Sequence, residues 1–136
     1  MFSKTQEEYL LRRLNRNEVV LFLGAGFSVD AVNQLGESFP VGKGLGKKIW
    51  EFMYSTEPFI DDGTSLQDIY QALLKSGKTF DQIKQFLKEN LTVKNYPDYY
   101  KYLALAFWYK IYSVNIDNLV DKVYERWSDQ HIDKMK

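Results

Sequence analysis

A continuous apolar segment that ends at a glycine constrains this chain more than any other feature. Residues 18–23 read Glu-Val-Val-Leu-Phe-Leu, and Gly24-Ala25-Gly26 follows directly. An uninterrupted apolar run with β-branched residues at its start is typical of a buried parallel strand. Small residues after such a strand let backbone amides approach a phosphate, and a following helix directs its positive end there. The segment therefore predicts a strand, turn and helix that could hold a nucleotide.

The glycine turn also has a plainer interpretation, as a tight turn between a strand and a helix. The dinucleotide fingerprint carries a third glycine where this chain has Val29. A second glycine-containing segment, 42–48, fails the P-loop pattern, because Val41 and Lys48 stand where glycine and a hydroxyl residue are required. We expect its lysines to be solvated near the start of a helix: Lys43, Lys47 and Lys48.

The remaining sequence predicts several helices and a second strand. Hydrophobic spacing and capping residues predict helices over 4–16, 43–54, 65–75 and 116–127. Two further helices are predicted, one that begins at Thr79 or Asp81 and one that follows Pro97. An aromatic, β-branched segment predicts a strand over 107–114. This order indicates an α/β domain with a Rossmann-like parallel sheet. Two strands rarely form a stable open sheet. We therefore expect residues 1–136 to be the helix-rich N-terminal portion of a single larger domain, or to complete their sheet with another chain.

Composition excludes several classes of function. The chain has 136 residues, and its 18 Lys and Arg balance its 18 Asp and Glu. This balance argues against a general nucleic-acid or polybasic membrane binder. With no cysteine and one histidine, disulfides, thiolate catalysis and a metal site are not expected. The charged N-terminus has no signal-peptide core, so we expect a cytoplasmic protein without a membrane partner.

Aromatic residues are concentrated between positions 96 and 112. A row of exposed rings could stack on nucleic-acid bases, but the chain has no excess of basic residues to hold phosphates. We therefore favour a core or an oligomer interface, with this chain or another. The residues are Tyr96, Tyr99, Tyr100, Tyr102, Phe107, Trp108, Tyr109 and Tyr112.

Small polar residues follow the second predicted strand, in the sequence Ser113-Val114-Asn115-Ile116-Asp117-Asn118. Asn115 or Asp117 could simply cap the following helix. Ligands of open α/β sheets, however, bind at the carboxyl ends of strands. If the two predicted strands are parallel neighbours, the glycine turn and these polar residues meet in one crevice.

Together the two motifs resemble the sirtuin superfamily over about residues 17–127. Gly24-Ala25-Gly26-Phe27-Ser28 is similar to its GAG-x-S motif, and Asn115-Ile116-Asp117 is similar to its N-x-D motif. The resemblance is closer to SIR2-like NADase domains of bacterial antiphage defence proteins than to protein deacylases. Deacylases have Pro-Asp-Phe-Arg after the glycine motif, where this chain has Ser-Phe-Pro-Val-Gly at 38–42, and they carry a four-cysteine zinc module.

The resemblance implies NAD as substrate or ligand, with no metal. It implies that the glycine motif binds the pyrophosphate, that Asn115 orients the nicotinamide ribose and a water, and that Asp117 fixes the nicotinamide end. The cofactor-binding residues are then Gly24, Ala25, Gly26, Phe27, Ser28, Asn115 and Asp117, the last two also catalytic. The family's catalytic histidine lies beyond a further strand, so we expect His131 to be a surface residue and the base to come from a longer chain or a partner.

Three functions follow as hypotheses. The first is an NAD-hydrolysing effector that depletes NAD during phage infection. The second is a non-catalytic subunit that binds NAD or a related nucleotide and signals to a partner chain. The third is a helical interaction domain in which the motifs are accidental.

Overall fold

The computed structural model describes residues 1–128, so His131 lies outside the described residues. Its elements are α1 (Lys4–Asn15), β1 (Val20–Leu23), β2 (Val32–Asn33), α2 (Lys43–Met53), α3 (Leu66–Leu74), α4 (Phe80–Leu91), β3 (Val93–Asn95), α5 (Lys101–Leu105), β4 (Lys110–Ser113) and α6 (Leu119–Trp127). Two 3₁₀ turns lie at Ala25–Ser28 and Asp98–Tyr100. The chain is thus a mixed α/β structure in which helices predominate.

Strands β1 and β4 form the parallel pair that the sequence predicts. Val20 pairs with Lys110 and Leu23 with Ser113, so both strands end at the same edge. Within residues 1–128 this sheet has two strands. Leu23 and Ile111 belong to the core on its inner side. The expected parallel geometry is confirmed at the level of this small sheet.

Two hydrophobic clusters hold the elements together. The first joins the inner side of the sheet to α5 and α6, with Leu119 and Val123 fully buried. The second joins α2, α3 and α4 around Ile49 and Leu73. Gly46 lies inside α2, where an added Cβ would be 3.1 Å from Cδ1 of Ile69, so its small size allows α2 and α3 to pack closely. The predicted helices of this region are confirmed.

The prediction of a helix directly after the glycine turn is wrong. One 3₁₀ turn follows, and the chain then enters β2, which pairs antiparallel with β3. Asn33 explains the change, because its fully buried side chain accepts from the amides of Leu35 and Glu37 at 3.0 and 3.1 Å. A short polar side chain that satisfies nearby amides stabilises a turn in competition with a helix.

Helix α1 forms as predicted, but none of its side chains is buried. Ser3 and Gln6 make a capping box at its start. A tight turn ends it, with Asn17 at φ 61° and an Arg13–Glu18 ion pair. Its stability therefore comes from local bonds rather than from packing.

The aromatic segment divides between core and surface. Tyr100 is buried, and Tyr96 and Trp108 pack against the first cluster. Phe107 and Tyr109 are exposed. The core part of the expectation is confirmed, and the oligomer interface remains a prediction.

No helix within residues 1–128 combines the length and the apolar character needed to cross a lipid bilayer.

Replacing Leu73 tests the second cluster, because this side chain is fully buried while its neighbour Leu74 is half exposed. We expect Leu73→Ala to lower the free energy of unfolding by about 2–5 kcal/mol through lost burial and a residual cavity. Leu74→Ala should change it by less than about 0.5 kcal/mol. Urea unfolding measures both, and equal losses would contradict the described orientation of α3.

Candidate functional site

The two sequence motifs meet at the carboxyl edge of the parallel sheet. The glycine motif follows β1, and Asn115-Ile116-Asp117 follows β4. Ser28 is fully buried and bridges them: its hydroxyl donates to Oδ2 of Asp117 at 2.7 Å and accepts from Nδ2 of Asn115 at 3.3 Å. The structure thus brings together the residues that the sequence separates by almost ninety positions.

Asp117 also holds the start of α6. Its Oδ1 accepts from the amide of Leu119 at 3.0 Å, while Oδ2 faces Ser28. The prediction that Asn115 or Asp117 caps α6 is wrong, because the N-cap residue is Asn118; Asp117 instead forms a local turn just before the helix. The side chain of Asn118 makes no capping bond, because it accepts instead from the amide of Val93 at 2.8 Å.

Asn115 presents an unsatisfied acceptor. Its backbone amide donates to Oγ of Ser113 at 3.1 Å, and its Nδ2 is engaged with Ser28. Its Oδ1 is buried and has no hydrogen-bond partner among the described residues. A buried acceptor left unpaired costs about 1–3 kcal/mol. Because almost none of the Oδ1 surface is accessible to solvent, a donor in the cleft reaches this atom only when a neighbouring group moves.

Asn115 and Asp117 lie in the lining of a cleft of about 160 Å³, together with Ala25 of the glycine motif. The other side is apolar and comes from the segment after β2 and from α2, α3 and the end of α4, through Phe39, Pro40, Val41, Leu45, Leu66 and Leu91. Ligand pockets commonly measure about 300–1,000 Å³. This cleft is therefore of a size for one ring rather than a whole dinucleotide.

Gly24 and Gly26 are not required by packing or by backbone strain. Neither has a left-handed φ, and a Cβ at either position would meet no atom within 4 Å. Both glycines are exposed to solvent. The first amides of a helical turn have no acceptor within it. The open space is where a ligand could approach the backbone closely.

Tyr100 supports the glycine motif from behind and was not singled out as a site residue by the sequence. Its hydroxyl donates to the carbonyl of Phe27 at 2.6 Å, and its ring packs edge-on against the Phe27 ring. Tyr99 stacks on Tyr100 and donates to the carboxylate of Asp30, which raises the pKa of Tyr99. The aromatic excess was the only sequence signal for this support.

The lysines near the cleft lie around it rather than in its lining, where Asp117 is the one charged residue. Lys43 pairs with Asp61, Lys47 with Glu51, and Lys48 with Glu37. Lys43 and Lys47 are exposed and Lys48 is half-buried, so the predicted solvation holds best for the first two. Within residues 1–128 no cluster of three or more His, Cys, Asp or Glu is placed to bind a metal.

Comparisons with protein families, curated protein sequences and solved structures find no significant match to this chain. Any function therefore has to be argued from the site itself and from the resemblance of its two motifs.

Substituting alanine for Gly26 tests whether the fold requires a glycine in the turn after β1. We expect Gly26→Ala to leave the free energy of unfolding unchanged within about 0.5 kcal/mol, because the new Cβ enters open space. Gly42→Ala is the control, since Gly42 has φ +47° and an L side chain there is strained by at least about 1 kcal/mol. Equal destabilisation of both variants in urea unfolding would show that Gly26 has a structural role.

Proposed function

We propose that this domain binds NAD and that the complete protein hydrolyses the bond between its nicotinamide and ribose. In this proposal the sheet is part of a Rossmann-like, SIR2-like domain. The biological role would be NAD depletion in antiphage defence. The observation that carries the proposal is the hydrogen-bonded group of Ser28, Asn115 and Asp117 at one cleft.

Geometry supports the binding of a nucleotide at the carboxyl edge of the sheet. The pyrophosphate would lie over Gly24 and Gly26, where the backbone is open to solvent. Amides at the start of a helical turn suit an anion. One ring of the ligand, the nicotinamide with part of its ribose, would enter the cleft beside Asn115.

Asn115 is suited to hold the reacting ribose and a water. Its Oδ1 is buried and lacks a donor, so a small movement that opens this atom to the cleft would let the amide accept from the ribose or the water. Ser28 fixes the amide through Nδ2, so the free acceptor has a defined direction. Preorganised polar groups of this kind lower the barrier where charge develops.

The proposed reaction is hydrolysis of the bond between C1′ of the ribose and the nicotinamide nitrogen. The oxygen of water bonds to C1′ of the ribose as the bond from C1′ to the nicotinamide nitrogen breaks. The electron pair of that bond goes to the ring nitrogen and neutralises its positive charge. The water loses one proton. The products are nicotinamide, ADP-ribose and that proton, which needs an acceptor.

The described part of the chain holds no histidine that could take this proton. Each oxygen of Asp117 already accepts one hydrogen bond, from Ser28 or from the amide of Leu119. We therefore propose that the base comes from further chain or from a partner. The same observation favours the alternative function, a non-catalytic subunit that binds NAD or a related nucleotide and signals to another chain.

Gly26→Val separates ligand binding from folding. Its branched side chain would fill the open space over the turn and should weaken NAD binding at least about tenfold. Val29→Ala is a matched control on an exposed residue of the same segment and should bind normally. Isothermal titration with NAD measures both. Unchanged affinity in Gly26→Val would mean that the glycine motif is only a turn.

Asn115→Ala tests the reaction. We expect nicotinamide release by the native assembly to fall at least about 100-fold, because the oriented amide is lost, while circular dichroism stays unchanged. Asn15→Ala, an exposed asparagine at the end of α1, is the control and should retain full activity. Near-normal release in Asn115→Ala would remove this residue from the mechanism. NAD binding without release in any wild-type assembly would instead support the non-catalytic subunit.

A further inference from the structure

The outer side of the parallel sheet is apolar and uncovered by any described element. Alternation places Val20 and Phe22 of β1 on this side, with Lys110 and Tyr112 of β4 beside them in register. The rings of Phe22 and Tyr112 stack at 5.1 Å, yet Phe22 is 75% exposed. Parallel sheets are normally covered on both faces. This outer sheet face, defined by these four residues, therefore needs a covering element.

Helix α1 carries a stripe that matches this need. Glu7, Leu10, Leu11 and Leu14 follow the spacing i, i+3, i+4 and i+7, so they share one face of the helix. Leu10 and Leu11 are exposed. The α1 stripe is thus three leucines with a carboxylate at its N-terminal end.

Each surface carries one charge that the other can pair with, although Lys4 lies one turn before Glu7 on the same face of α1. Lys110 is the one cation among the four residues of the outer sheet face, and Glu7 is the one anion of the α1 stripe. Neither forms an ion pair within residues 1–128. A pairing of Glu7 with Lys110 would seat the leucines beside Phe22 and Tyr112.

The same copy does not make this contact. Glu18 donates its amide to the carbonyl of Arg13 at 3.0 Å, and the Arg13–Glu18 ion pair reinforces the turn between α1 and β1. In the arrangement that these bonds hold, α1 has no fully buried side chain, although Leu14 is half-buried. Leu10 and Leu11 of the stripe are therefore available to another molecule.

We propose that two copies of this chain associate by laying α1 of each on the outer sheet face of the other. The contact is reciprocal, so one two-fold axis generates two identical helix-on-sheet interfaces and two pairs of Glu7 with Lys110. A helix of 12 residues is about 18 Å long. A specific dimer needs about 1,000 Å² of buried surface in total, and the two interfaces would share that area. This proposal is independent of NAD binding.

Charge reversal tests the pairing without enlarging or emptying the interface. Glu7→Lys would set two cations against each other, and Lys110→Glu two anions, so each variant should weaken the dimer at least about tenfold. The double variant restores opposite charges and should return to within about threefold of wild type. Sedimentation velocity between about 1 and 100 µM, the range for a small interface, measures the dissociation constants.

Matched controls separate pairing from general charge effects. Glu8→Lys changes the same charge one residue along, about 100° around the helix and off the stripe. Lys94→Glu changes an exposed lysine of β3, away from the outer sheet face. Both should dimerise as wild type does. Circular dichroism of every variant checks that α1 and the fold are retained.

A wild-type protein that stays monomeric at the highest concentration would overturn the proposal and leave the outer sheet face to another segment or partner. It would also be overturned by a dimer that both single reversals leave intact, or by a double variant no tighter than the single ones. Weakening by each single reversal together with recovery in the double variant would establish it.

Discussion

A buried hydroxyl ties the ends of the two parallel strands together. Ser28 follows β1, whereas its two partners follow β4. Its hydroxyl donates to the carboxylate of Asp117 and accepts from the side-chain amide of Asn115. A hydrogen bond to a charged group contributes about 1.5–3 kcal/mol. Because Asp117 also accepts from the amide of Leu119, the same side chain sets where α6 begins. The position of the glycine turn, the direction of the Asn115 amide and the start of α6 all depend on this contact.

Two surfaces of the molecule differ in character: the carboxyl edge of the parallel sheet and the outer sheet face. At the carboxyl edge, the cleft between the glycine motif and α2 combines an apolar wall with two polar residues, Asn115 and Asp117. On the outer sheet face, Phe22 and Tyr112 are stacked and remain accessible. The first arrangement suits a small ligand with a ring, and the second suits a helix of another copy. Because they occupy different parts of the molecule, binding and association can be tested separately.

Local signals predict the elements better than the long-range contacts. A continuous apolar run predicted β1, and an aromatic, β-branched segment predicted β4. Thr79, one of the two predicted caps, forms with Gln82 the capping box that starts α4. The order of strands and helices along the chain predicted that β1 and β4 pair in parallel. The pairing of β2 with β3 could not be predicted, because strands of two and three residues are too short to show an alternation of apolar and polar residues. The turn after β2 depends on Asn33, which accepts from two amides of that turn and donates to the carbonyl of Asn90 in α4. Tyr100 supports Phe27 across 73 positions, a contact that no single sequence encodes visibly.

The most direct test of the proposed site is a nuclear magnetic resonance titration of the labelled protein with NAD. We predict that the side-chain amide of Asn115 and the backbone amides of Ala25 and Gly26 shift together, with one common dissociation constant. Amides of the outer sheet face should stay unchanged at a fixed protein concentration. Shifts confined to residues away from the cleft, or no shifts at saturating NAD, would contradict the account. In that case the hydrogen bonds of Ser28 would serve only to hold the two strand ends together.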